Sequence, residues 1–98
     1  MKACKRLEIV IEKPLAKKVA AALIEAGAPG FTQIDQASGM GDRGRRHADD
    51  PTGSSTNCVF IIACETEQEV EKLVESIRPI LTRTGGICLV SDAFWVRH

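Results

Sequence analysis

The chain has 98 residues, 44% of them apolar and 27% charged, with 13 basic side chains balanced by 13 acidic ones. That length allows one domain with a modest core, and a net charge of zero argues against a dedicated nucleic-acid binder, which carries a basic excess. No apolar run reaches the roughly 18 residues of a membrane span, and the opening MKACKRLEIV has neither the apolar block nor the cleavage site of a secretion signal, so the sequence predicts a cytoplasmic protein without membrane insertion.

From Lys5 to Glu12 the residues alternate, with Leu7, Ile9 and Ile11 on one face and Arg6, Glu8 and Glu12 on the other, which predicts a half-buried strand. Pro14 suits the first turn of a helix, where its missing N–H needs no partner. Leu15, Val19, Ala22, Leu23 and Ala26 form that helix's apolar stripe, and Gly27 followed by Pro29 ends it. Phe31 to Ala37 reads as a second strand, at an edge. CVFIIAC, from Cys58 to Cys64, is apolar throughout and reads as a strand buried on both faces. Thr66 with Glu69 three residues later is a capping box for a second helix, whose core stripe is Val70, Leu73, Val74, Ile77 and Leu81. Pro79 is expected to kink or end it. Gly85-Gly86 makes a turn, Ile87 to Ser91 a fourth strand, and Ala93 to His98 a tail with the single Trp.

The order β-α-β-β-α-β predicts an α+β, ferredoxin-like sandwich: a four-stranded antiparallel sheet with two helices on one face and the first and third strands central. The other sheet face is left uncovered. Val10, Phe60, Ile62 and Cys64 are expected to point out of it, and a patch of that kind marks a partner surface, such as another copy of the chain.

Between the second and third strands lies Ser38 to Asn57, with four glycines, three arginines and three aspartates and too little apolar surface to offset the entropy of ordering. It is expected to be a long mobile loop and the working part of the molecule. Its GMGDRGRR segment, Gly39 to Arg46, joins glycines that let backbone N–H groups approach a ligand to guanidiniums that fork onto phosphate or carboxylate oxygens. The plainer alternative is a solvated linker. It is not a phosphate-binding G-x-x-x-x-G-K-[ST] loop. Arg83-Thr84-Gly85-Gly86 is a second glycine segment, for which a plain turn is the simpler reading.

Catalysis is poorly supplied, because His47 in the loop and His98 at the last position are not held by packing, and a general base needs positioning before its pKa matters. The four cysteines have no C-x-x-C spacing, so the sequence signals no zinc site and no redox motif, and no disulfide is expected.

VIEKPLAKKVAAALIEAGAPGFT, Val10 to Thr32, followed by Gly39-Met40-Gly41 and an arginine-bearing loop, resembles the opening of the PII signalling proteins. Those proteins share a strand ending near Lys-Pro, a helix closing at Gly, a G-[FM]-T entry to the second strand and a long loop with G-x-G. The likeness follows the whole chain in element order and is closest over the first 46 residues. It implies one PII-like domain over residues 1–98 and a homotrimer with adenine nucleotide in the clefts between subunits. It also implies a T-loop, here about residues 38–57, that docks onto a transporter or enzyme, and no catalytic role.

Three departures refine what the resemblance implies. The chain has no Tyr, so the uridylylation site of the nitrogen-sensing members is missing. Their T-G-x-x-G-D-G-K loop is reduced to Thr84-Gly85-Gly86-Ile87, and the absent lysine speaks against tight triphosphate binding. Their C-terminal arginine pair falls on Trp95 and Arg97. Such a reduced form is similar to PII-like proteins associated with bicarbonate transporters and carboxysomes, which implies ADP or AMP as ligand, bicarbonate as a second ligand and no prosthetic group. Carried over by position, Gly39, Met40, Gly41 and Arg43 match the T-loop base, Thr84, Gly85 and Gly86 the second glycine loop, Thr32, Ile62 and Cys64 the adenine pocket, and Arg97 the tail. Arg45 and Arg46 join the phosphate group by charge and reach. A metal-binding or metal-tolerance trimer of the same fold, with Cys and His ligands, is the alternative. A small enzyme comes third.

Overall fold

The computed structural model describes residues 1–41, 44–46 and 56–98, with side chains for 1–38 and 56–98. Its elements are β1 (Lys2–Glu12), a 3-10 turn (Lys13–Leu15), α1 (Ala16–Glu25), β2 (Thr32–Ala37), β3 (Gly39–Gly41), β4 (Gly44–Arg46), β5 (Asn57–Cys64), α2 (Glu67–Thr84) and β6 (Ile87–Trp95). The main sheet has the order β2-β5-β1-β6 with every neighbour antiparallel, so β1 and β5 are central and the ferredoxin-like expectation holds.

Register decides which side of each strand is covered. Leu7, Ile9 and Ile11 of β1 are buried under the helices, and they share their face with Ile62, Phe60 and Cys58, their partners on β5. Val19 and Leu23 of α1 and Leu73 and Ile77 of α2 close this core, and Phe31 stacks on Phe60 with ring centroids 5.4 Å apart. The expectation that Phe60, Ile62 and Cys64 face outward is therefore reversed. Their burial is complete, and it is Val59, Ile61 and Ala63 that lie half-buried on the open side with Val10. An unbroken apolar run carries no signal of parity, and a one-residue slip exchanges its faces.

Helix ends follow local chemistry. Gly27, at φ 87°, closes α1 in a Schellman motif: Ala28 N–H donates to Leu23 O and Gly27 N–H to Ile24 O, both at 3.0 Å. Pro14 sits in the 3-10 turn rather than in α1. At the start of α2, Thr66 Oγ1 accepts from Glu69 N–H at 3.1 Å, while the Glu69 carboxylate reaches one residue past the cap, to Glu65 N–H at 3.2 Å. Pro79 does not end α2, which runs on to Thr84. Burial of Leu73 and Ile77 before the proline, and partial burial of Ile80 and Leu81 after it, outweighs the one hydrogen bond it removes.

The first and last strands are longer than their sequence pattern. β1 starts at Lys2 and β6 reaches Trp95, because Lys2 pairs with Trp95 and Ala3 with Phe94. The segment expected to be structureless contains a small antiparallel ribbon, in which Gly39 pairs with Arg46, Met40 with Arg45 and Gly41 with Gly44. The rest of that expectation, residues 42–43 and 47–55, lies outside the described residues.

Candidate functional site

One end of the sheet gathers the roots of the loop and the second glycine segment. Ala37 pairs with Asn57, and Lys13 N–H donates to Thr56 O at 3.0 Å, which ties the returning chain to the turn before α1. Between Ile34 and Ala37 the β2 register shifts, and Gln36 there has φ 60°, the left-handed conformation unusual for a residue with a side chain. The strand is thus re-aimed where it enters β3. No sequence signal marks Gln36, since the motif begins three residues later. On the same end, Gly85 closes α2 at φ 78° and Gly86 lies against Val10 O. β5 and β6 are two strand spacings apart, so about 10 Å separates the loop root from the glycine turn.

Below the loop root, Asp35 accepts from Gln33 Nε2 at 3.0 Å and from Cys58 Sγ at 3.4 Å. These two donors, Gln33 first, hold the Asp35 carboxyl below its ordinary range. Burial, then the hydrogen bond to Asp35 and its charge, push the Cys58 thiol up to about 11. A thiol that keeps its proton in the folded state but loses it near pH 8.5 when unfolded makes stability fall as pH rises. The loss attributable to Cys58 is expected between about pH 9 and 11 and to reach up to about 3 kcal/mol. Urea unfolding of the native chain and of Cys58→Ala across that range would check it, the variant showing the shallower decline.

The opposite end of the sheet holds a second candidate feature. Lys2, Glu65, Trp95, Val96, Arg97 and His98 line an open groove of about 450 Å³. Lys2 Nζ pairs with Glu65 at 3.3 Å, and Lys5, bonded to Asp92, also reaches Glu67 at 3.6 Å, fixing the start of α2 to the strand ends. Arg97 therefore has aromatic and cationic company that the sequence order conceals, because strand pairing brings Lys2 to Trp95.

A family model described as nitrogen regulatory protein P-II matches residues 4–98. The chain belongs to this P-II family. Among solved structures it is similar to CPII, a nitrogen regulatory PII-like protein from Thiomonas intermedia K12 bound to ADP, AMP and bicarbonate: 26% identity, TM-score 0.85, covering 97% of this chain and 90% of that one. The same protein bound to ADP and bicarbonate matches at 26% identity and TM-score 0.81, over 97% and 90% of the two chains. A PII-like signalling protein from Thermus thermophilus matches at 21% identity and TM-score 0.78, over 98% and 92%, a likeness of fold.

Within the P-II frame, the predicted site residues fall into three groups. Gly39, Met40 and Gly41 form β3, Arg45 and Arg46 lie on β4, and Thr84, Gly85 and Gly86 follow at the same end of the sheet. Arg43 lies outside the described residues. Thr32 is exposed on the open face opposite Ile61, halfway along the sheet, and Ile62 and Cys64 turn their side chains into the core. Arg97 stands in the far groove. For the metal alternative, the described residues contain no cluster of three or more His, Cys, Asp or Glu that could hold an ion. No described helix is long and apolar enough to cross a membrane.

Proposed function

We propose that residues 1–98 form a single cytoplasmic PII-like domain that assembles as a homotrimer and binds ADP or AMP, with bicarbonate, in the clefts between protomers. Its T-loop, about residues 38–57, then acts on a partner in inorganic-carbon uptake or fixation. The observation that carries this reading is the division of the candidate residues between two ends of one sheet. The glycines and arginines of the loop end and Arg97 at the tail end are separated by the length of β1, which has 11 residues and so spans about 33 Å at strand rise. No single nucleotide spans that distance. A cleft formed by the loop end of one protomer and the tail end of the next brings the two sets together. The uncovered sheet face, carrying Ile34, Ile87 and Leu89 at 46%, 52% and 56% exposure, supports such an assembly. CPII, bound to ADP, AMP and bicarbonate, supports the ligand class.

In this reading Arg43, Arg45 and Arg46 grip the phosphates, Gly39 to Gly41 let the backbone approach them, and the adenine lies along Thr32 and the backbone of Ile62 and Cys64. The ligand moves the T-loop only by its differential affinity for two loop states. Isothermal titration with AMP, ADP and ATP, each with and without bicarbonate, tests it. Binding of ADP or AMP is expected to tighten with bicarbonate, reciprocally, and ATP is expected to bind more weakly. Arg43→Ala and Arg97→Ala should each weaken the nucleotide about 10-fold or more, the worth of one charge-assisted hydrogen bond. Absence of binding by every nucleotide would remove the proposal.

A further inference from the structure

The open face of the sheet carries apolar rows around a charged centre, with Thr32, Lys2 and Glu12 toward its margins. Register places Val59, Val10 and Ile87 in one row, Ile61, Glu8 and Leu89 in the next, then Ala63, Arg6 and Ser91, with Cys4 and Ala93 beyond. β1 puts four charged residues on this face, Lys2 and Glu12 at its two ends and Arg6 and Glu8 at its middle. Arg6 and Glu8 face each other along β1, with Arg6 Nη2 3.0 Å from Glu8 Oε2. Small neighbours, Ala63 and Ser91, leave room for the guanidinium, while Ile61 and Leu89 flank the carboxylate.

We propose that this ion pair is an interface device: a preformed, self-neutral pair that each protomer buries against further copies of the same chain. The proposal rests on the assembly described above. The occupant is a second copy because the charges β1 puts on this face balance, Lys2 and Arg6 against Glu8 and Glu12, so that the face is complementary to itself, and because the candidate ligand residues are completed only by another protomer. In the free protomer the pair is solvated and contributes little to stability. Once apolar rows from neighbouring copies cover it, each charge has only its partner to replace water. Removal of one charge strands the other, whereas removal of both leaves an apolar patch.

Analytical ultracentrifugation of the full chain tests this, with Arg6→Leu, Glu8→Leu and the double variant compared over a dilution series. Each single variant is expected to raise the concentration of half-dissociation about 100-fold or more, and the double variant to return it to within about threefold of the native value or below it. Thermal unfolding at concentrations where all four are monomeric should give the same midpoint, which separates assembly from folding. Single variants that assemble like the native chain, or a double variant as weak as the singles, would overturn the device and leave the assembly standing. A native chain that stays monomeric at high concentration, with and without ADP, would overturn both.

Discussion

Replacing Phe60 with alanine is expected to lower the unfolding free energy by about 4 kcal/mol. Phe60 has no exposed surface, sits between Ile9 and Gln33 on the neighbouring strands, and stacks on Phe31. Truncation removes that burial and leaves a void that a two-layer domain of this size cannot close. For 98 residues a loss of that order lowers the melting temperature by roughly 16 °C or more. The measurement also decides the parity of β5. Were Phe60 on the open face, Phe60→Ala would weaken assembly and leave the melting temperature of the dilute protomer almost unchanged. The complementary change, Ile61→Asp, should do that instead.

Gly86→Ala is expected to cost about 3 kcal/mol, at the upper end of the range for an overpacked core. A Cβ at this position would meet Ile11 Cδ1 at 2.7 Å, Leu81 Cδ2 at 2.8 Å and Val10 O at 2.8 Å. The two side chains can turn aside, but the carbonyl belongs to the central strand and cannot retreat without breaking the β1–β6 ladder. Gly85, beside it, is the left-handed cap of α2, with its N–H donating to Leu81 O at 2.8 Å. Both glycines thus have a backbone reason independent of any ligand. Chemical denaturation of Gly86→Ala separates the two roles: an unchanged midpoint with lost nucleotide binding would mean that the glycine serves only the ligand.

The elements with a period were legible, and the parity of the one without a period was not. Leu7, Ile9 and Ile11 alternate with charged residues, so the covered face of β1 could be read directly, and the stripe of α2 named its buried residues in advance. Cys58 to Cys64 offers no polar residue to mark an outside, and only pairing with β1 settles it. Strand length failed for a related reason. Lys2 and Trp95 carry no strand signal alone and belong to the sheet because each supplies the other's partner. Of the candidate site, the glycines and arginines were visible as composition. The groove around Arg97 was hidden because its lining comes from both ends of the chain, and the twist at Gln36 because nothing in its residue type asks for it.

The pairing of β1 with β6 also bears on how the molecule comes to be made. Of the strands of this sheet β1 is made first, and of its two neighbours one, β6, begins 75 residues after β1 ends, at Ile87 against Glu12. Until Trp95 has cleared the exit tunnel, one full edge of β1, with its backbone donors and acceptors, stays available to any other strand in reach. Such long-range closure makes for slow folding and an intermediate prone to association. Helix α2, which precedes β6, packs its Leu73 and Ile77 on the core face, and so is the element that can bury the apolar side chains of β1 during that wait. Weakening the Thr66 cap should therefore reduce the yield of native chain during synthesis more than it lowers the stability of the finished protein.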